Sequence, residues 1–74
     1  MYFVYVVKNT ENSALYIGYT NNLGRRLKEH QKRFSKDKII YYEAYLVEKD
    51  ARSREIKLKH YGSAWRALKK RINA

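Results

Sequence analysis

Seventy-four residues make one small domain with a thin core, because a chain this short buries only about 60% of the surface it exposes when unfolded. Hydrophobic residues at 45% and aromatics at 15% exclude global disorder, and the lack of cysteine excludes disulfides, thiolate catalysis and Cys-based zinc sites. Seventeen Lys and Arg against seven Asp and Glu leave a net charge of +10, which calls for an anionic partner, nucleic-acid phosphate foremost.

In chain order, residues 2–8 are β-branched and aromatic with no polar face, the pattern of a strand covered on both sides. This apolar run is far shorter than the roughly 20 residues of a membrane span. No signal-peptide pattern opens the chain, so a cytoplasmic protein without a membrane partner is expected. Residues 9–13 carry turn chemistry, and 14–20 read as a second strand completing a hairpin. A loop over Asn9–Asn12 would pair Val7 with Ala14, Tyr5 with Tyr16 and Phe3 with Gly18, setting the two tyrosines directly opposite on one face.

Asn21 and Asn22 offer an N-cap for a helix over 22–34, with Leu23, Leu27 and Phe34 as its apolar stripe and Arg26, His30 and Arg33 on a neighbouring one. Residues 39–47 predict a third strand with Ile40, Tyr42, Ala44 and Leu46 along one face and Glu43 interrupting the other. Asp50 is the expected N-cap of a second helix reaching Tyr61, stopped by Gly62. Glu55 shares its stripe with Ala51 and Leu58, which sets a carboxylate on the sheet-facing side. A last helix over 63–72 presents Trp65, Leu68 and Ile72. The expected fold is α+β, a three-stranded antiparallel sheet with three helices in the order β-β-α-β-α-α, as a single domain over 1–74.

Tyr5, Tyr16, Arg26, His30 and Glu55 come from four separate elements and can meet at one site. Phosphodiester hydrolysis needs a base for water, a cation facing the developing charge and usually a metal. A tyrosine can take the proton if its pKa, about 10 unperturbed, is lowered by a guanidinium or a metal. Arginine donates two hydrogen bonds to two phosphate oxygens, and one carboxylate plus water is a common way to hold Mg²⁺ beside a phosphate. Each residue also has a plainer role. The tyrosines can be core packing, Arg26 part of a solvated basic helix with Arg25, Lys28, Lys32 and Arg33, His30 a partner for Phe34, and Glu55 one half of a surface pair with Lys59.

The combination resembles the GIY-YIG nuclease superfamily. Tyr5, ten intervening residues and Tyr16-Ile17-Gly18 are similar to its paired motif, and Arg26 stands eight residues past Gly18. The stretches Thr20–His30 and Ala51–Lys59 are similar to its next segment and its acidic helix. The chain most resembles small stand-alone bacterial members related to the N-terminal nuclease domain of the bacterial excision-repair endonuclease. Its first motif reads Phe3-Val4-Tyr5, so the Gly and Ile are replaced while the tyrosine stays.

The resemblance implies an endonuclease dependent on Mg²⁺ or Mn²⁺, acting on DNA, with a place in repair or recombination. Glu55 would be the metal ligand and Arg26 would bind the scissile phosphate. Tyr5 and Tyr16 would share the work of activating or positioning water, and His30 would assist proton transfer or hold Tyr5. Nucleic-acid contacts are expected from Gly18, Arg25, Arg33, Lys59, Lys69, Lys70 and Arg71. No small-molecule cofactor is expected, and a protein partner for targeting stays open. The alternative is a basic binding module that holds DNA or RNA around a vestigial site.

Overall fold

The computed structural model describes residues 1–33 and 36–73, without the side chain of Arg33. Its elements are β1 (Tyr2–Asn9), β2 (Leu15–Thr20), α1 (Leu23–Arg33), β3 (Asp37–Tyr45), α2 (Glu48–His60) and α3 (Gly62–Arg71). The order is the one the hydrophobic periodicities predict. Phe34, assigned from the sequence to the apolar stripe of α1, lies outside the described residues.

The strands form an antiparallel sheet in the order β2-β1-β3. As the central strand, β1 is buried on both faces, with Val4 and Val6 on one and Tyr5 and Val7 on the other. On the first face α2 and α3 close a core of Val4, Val6, Ala51, Leu58 and Leu68, flanked by Ile17, Tyr41, Trp65 and Ile72. Deleting most of a buried leucine from such a core costs about 2–5 kcal/mol. The opposite face receives α1, which reaches Tyr5 through Arg26 and Asp37 through His30. Among the described residues no helix is long and apolar enough to cross a membrane.

The hairpin register differs from the expected one by two residues. Tyr5 faces Gly18 and Tyr16 faces Val7, so the tyrosines share a face but are diagonal neighbours. The cause lies in the loop, which closes between Asn9 and Ala14 with Asn9 N–H on Ala14 O at 2.9 Å. Asn9 Oδ1 accepts from the amides of Glu11 and Asn12, Asn12 Oδ1 accepts from Ala14, and Ser13 takes a left-handed φ of 61°. Side-chain acceptors thus close a tight turn one residue beyond the expected one on each strand.

β3 begins earlier than expected and carries a bulge. Val6 pairs with Tyr41 but Val7 pairs with Ile39, which leaves Ile40 unpaired. Beyond it Tyr41, Glu43 and Tyr45 turn toward α2 and α3, whereas Ile39 and Asp37 turn toward the face of Val7 and Asn9. The face expected from Ile40, Tyr42 and Ala44 exists, but it is the exposed one. Leu46 follows the strand and is also exposed. Inward, Glu43 accepts from Tyr41, Tyr45 and Arg54, so the interrupting carboxylate is the centre of a paired cluster.

Two helix boundaries are corrected. Asp50 lies inside the first turn of α2, whose N-cap is Val47 with no side-chain cap bond; Glu48 and Asp50 favour the positive end of the helix by charge instead. Gly62 opens α3 and has no positive φ. The break is Tyr61, extended at φ −116°, ψ 101°, whose carbonyl receives the first amides of α3.

Candidate active site

β2 is an edge strand with α1 beyond one face and α2 beyond the other. A hollow of about 660 Å³ runs along it, lined from β1 by Tyr5, Val7 and Asn9, from β2 by Tyr16, Gly18 and Tyr19, and from the helices and β3 by Arg26, His30, Asp37, Glu55 and Lys59. All five residues expected to carry chemistry therefore border one space.

Tyr5 is buried because its ring lies across Gly18, where a Cβ would collide with the ring and the hydroxyl. Glycine is required at 18 by this close approach, so its first role is packing, whatever it also offers a nucleic acid. Arg26, on the first turn of α1, donates from Nε to the Tyr5 oxygen at 2.9 Å. That helix starts where expected, with Asn22 Oδ1 capping the Arg25 amide at 3.0 Å. The hydrogen bond to Tyr5 holds the guanidinium still more firmly protonated than usual. Its Nη1 lies 3.7 Å from Glu29. Tyr16 is 53% exposed, so its phenol stands in water where Tyr5 is held.

Glu55 projects from α2 between the fully buried Ala51 and Leu58, and its side chain is 18% exposed. It meets Lys59 at 3.1 Å, one turn further along. Lys59, expected as a phosphate contact, thus stands in the site beside the carboxylate. His30, on α1 one turn past Arg26, donates from Nε2 to Asp37 Oδ2 at 2.6 Å.

The other expected nucleic-acid contacts lie elsewhere. Arg25 is on the outer side of α1 near Glu29, and the side chain of Arg33 is outside the described residues. Lys69, Lys70 and Arg71 end α3, on the far side of the core from α1; Lys69 sits 5.8 Å over the Trp65 ring. Trp65 itself packs against the core.

Asp37 and Asn9 were missed. The sequence shows Asp37 between two lysines ahead of the apolar run, where it reads as a solvated loop residue. Only the bulge at Ile40 turns it inward. Asn9 reads as turn chemistry, which it is, while its Nδ2 also donates to Asp37 at 2.7 Å.

A family model described as the GIY-YIG catalytic domain matches residues 1–68. The chain belongs to the GIY-YIG family. This is a nuclease family, and the substrate class it implies is nucleic acid. The chain is also similar to the UPF0213 protein CPE1444 of Clostridium perfringens, 34% identical, with 80% of this chain and 71% of that protein covered. No solved structure matches the chain. Tyr5, Tyr16, Arg26 and Glu55, the positions that resemble the family's motifs, all border the one hollow.

Proposed function

We propose that the protein is a metal-dependent endonuclease that hydrolyses a DNA phosphodiester bond at the β2 edge. The observation carrying this reading is the convergence of Tyr5, Tyr16, Arg26, His30 and Glu55, from four elements, on one open hollow.

The donor set fits Mg²⁺ or Mn²⁺ held mainly by water. Two carboxylates line the hollow, and both Asp37 oxygens are engaged, by Asn9 and His30. Glu55 is the one with a free coordination edge, opposed by Lys59 on its own helix. Among the described residues no three His, Cys, Asp or Glu cluster, which excludes an all-protein cage but suits an ion bound through one carboxylate, water and substrate phosphate. When bound, such an ion supplies charge against the phosphate oxygens and a lowered pKa for its water.

The chain's own residues do the rest. Arg26 commits Nε to Tyr5, and its outer nitrogens, of which Nη1 lies 3.7 Å from the exposed Glu29, would turn to a non-bridging phosphate oxygen, where charge develops. Tyr5 is fixed by Gly18 below and Arg26 beside it, and so positions water relative to that phosphate. Tyr16, open to solvent, shares the acceptance of the water's proton. With Glu55 holding the ion, Lys59, now 3.1 Å from that carboxylate, would be left for the nucleic-acid backbone. The proposed reaction is one that DNA repair or recombination would use.

The test is a cleavage screen of linear and branched DNA and RNA with Mg²⁺ or Mn²⁺, run beside Glu55→Gln. We expect metal-dependent nicking that falls by about 10²-fold or more in the variant, a scale typical of a lost electrostatic catalytic group, with binding retained. Binding without cutting on every substrate and with either metal would overturn the enzyme reading in favour of a basic binding module.

A further inference from the structure

The bulge at Ile40 has one chemical consequence: it brings a carboxylate into the α1 side of the sheet. Asp37 is 4% exposed, on a face otherwise filled by Val7 and Tyr5. A buried carboxylate is costly unless each oxygen is satisfied. Here Oδ2 accepts from His30 Nε2 at 2.6 Å and Oδ1 accepts from Asn9 Nδ2 at 2.7 Å. The orientation of the Asn9 amide is itself forced, since its oxygen takes the backbone N–H groups of Glu11 and Asn12. The loop is also clamped to the start of β3, with the amide and hydroxyl of Thr10 both on the Lys36 carbonyl at 2.8 Å. A fixed chain therefore runs from the loop amides through Asn9 and Asp37 to the His30 ring at the wall of the hollow.

We infer that Asp37, anchored by Asn9, is the positioning residue for His30, holding the imidazole with its proton on Nε2 and its ring at the wall of the hollow. A carboxylate can only accept, so the nitrogen facing it must carry hydrogen, and the neutral ring is left as the Nε2–H tautomer. This rests on the proposed nuclease reading only for the identity of the reaction; the tautomer does not depend on it. Besides Asp37, the charged groups that border the same hollow as the ring are Arg26 on α1 and Glu55 and Lys59 on α2.

The experiment combines two readouts on the full chain. Long-range ¹H–¹⁵N correlation of the His30 ring, at a pH where it is neutral, should show Nε2 protonated and Nδ1 unprotonated in the wild type. In Asp37→Asn the signals should move toward a mixture of tautomers. An Nδ1–H tautomer in the wild type overturns the inference. That measurement needs no variant and no cleavage, so an inactive protein would defeat the proposed function without touching this result.

In cleavage assays Asp37→Asn should lower kcat on the order of 10- to 100-fold, the range for partners that orient a functional imidazole, with KM within about twofold. His30→Ala combined with Asp37→Asn should be no slower than His30→Ala alone. Asp37→Glu, which keeps the charge, should recover more activity than Asp37→Asn. An Asp37→Asn protein that folds, by its thermal melt, and cuts at the wild-type rate would overturn the inference. So would a further loss of activity in the double variant.

Discussion

Gly18 and Arg26 show how little freedom the centre of the site has. The Tyr5 ring occupies the space a side chain at 18 would need, so Gly18→Ala must push the ring away or bend β2. We expect a loss of about 1–3 kcal/mol, the usual cost of overpacking, read as a lower thermal midpoint, together with slower cleavage because Tyr5 loses its place. At 26 the guanidinium borders the hollow while it donates through Nε to Tyr5 and lies with Nη1 3.7 Å from Glu29. A lysine is a point charge without that fork. Arg26→Lys should therefore lower kcat by about 10²- to 10³-fold, as loss of a preorganised donor does, although the net charge is unchanged.

The elements show which signals the chain carried openly. Apolar runs, turn residues and helical spacing mark all six elements, and the stripe of Ala51, Glu55 and Leu58 on α2 correctly sets a carboxylate inward. Boundaries were less legible where no capping residue announces them. α2 starts at a valine that caps nothing, so Val47→Ser, which can bond the amides of the first turn, should raise stability by about 1 kcal/mol in a denaturant titration. Glu43 looked like an interruption of a strand face. Burial opposes its charge, yet hydrogen bonds from Arg54, Tyr41 and Tyr45 overcome that and hold its pKa below the ordinary 4.5. Tyr45, by burial first and then by its bond to Glu43, is pushed up to about 12 from 10.0.

The signs of these two shifts are opposite in effect. The stabilisation from Glu43 is present above its unfolded pKa of about 4.5 and is lost as pH falls through the lower folded value. That from Tyr45 is present below 10.0 and is lost as pH rises toward about 12. Melting temperature against pH should thus show shoulders below about pH 4.5 and above about pH 10. In Glu43→Gln the acid shoulder should flatten, with lower stability at neutral pH because Arg54 is left without its partner.

The molecule as a whole divides its charge unevenly around the hollow. Arg26 and Lys59 stand inside it, while α1 carries Arg25, Lys28 and Lys32 on its outer side and the basic end of α3 lies beyond the core. α1 borders the hollow through Arg26 and His30, so its cations lie nearer the proposed nucleic-acid site than those ending α3. Replacing Arg25, Lys28 and Lys32 together by Gln should flatten the log–log salt dependence of duplex binding, by about 0.9 for each phosphate no longer neutralised. The same charge removal at Lys69 and Lys70 should change that slope less. Binding titrations at several salt concentrations compare the two sets directly.

The motif spacing, the excess of cations and the order of strands and helices were all readable along the chain, because each depends on residue type and on neighbours within a turn or two. The hairpin register was not. A slip of two leaves every side chain on its expected face, so alternation cannot detect it, and the loop closure at Asn9 and Ala14 settles it. Asp37 was hidden for a related reason: its direction depends on an unpaired Ile40 further along the strand, and its meaning on a histidine from another element. Local chemistry chose the reactive groups, and long-range pairing chose which of them touch.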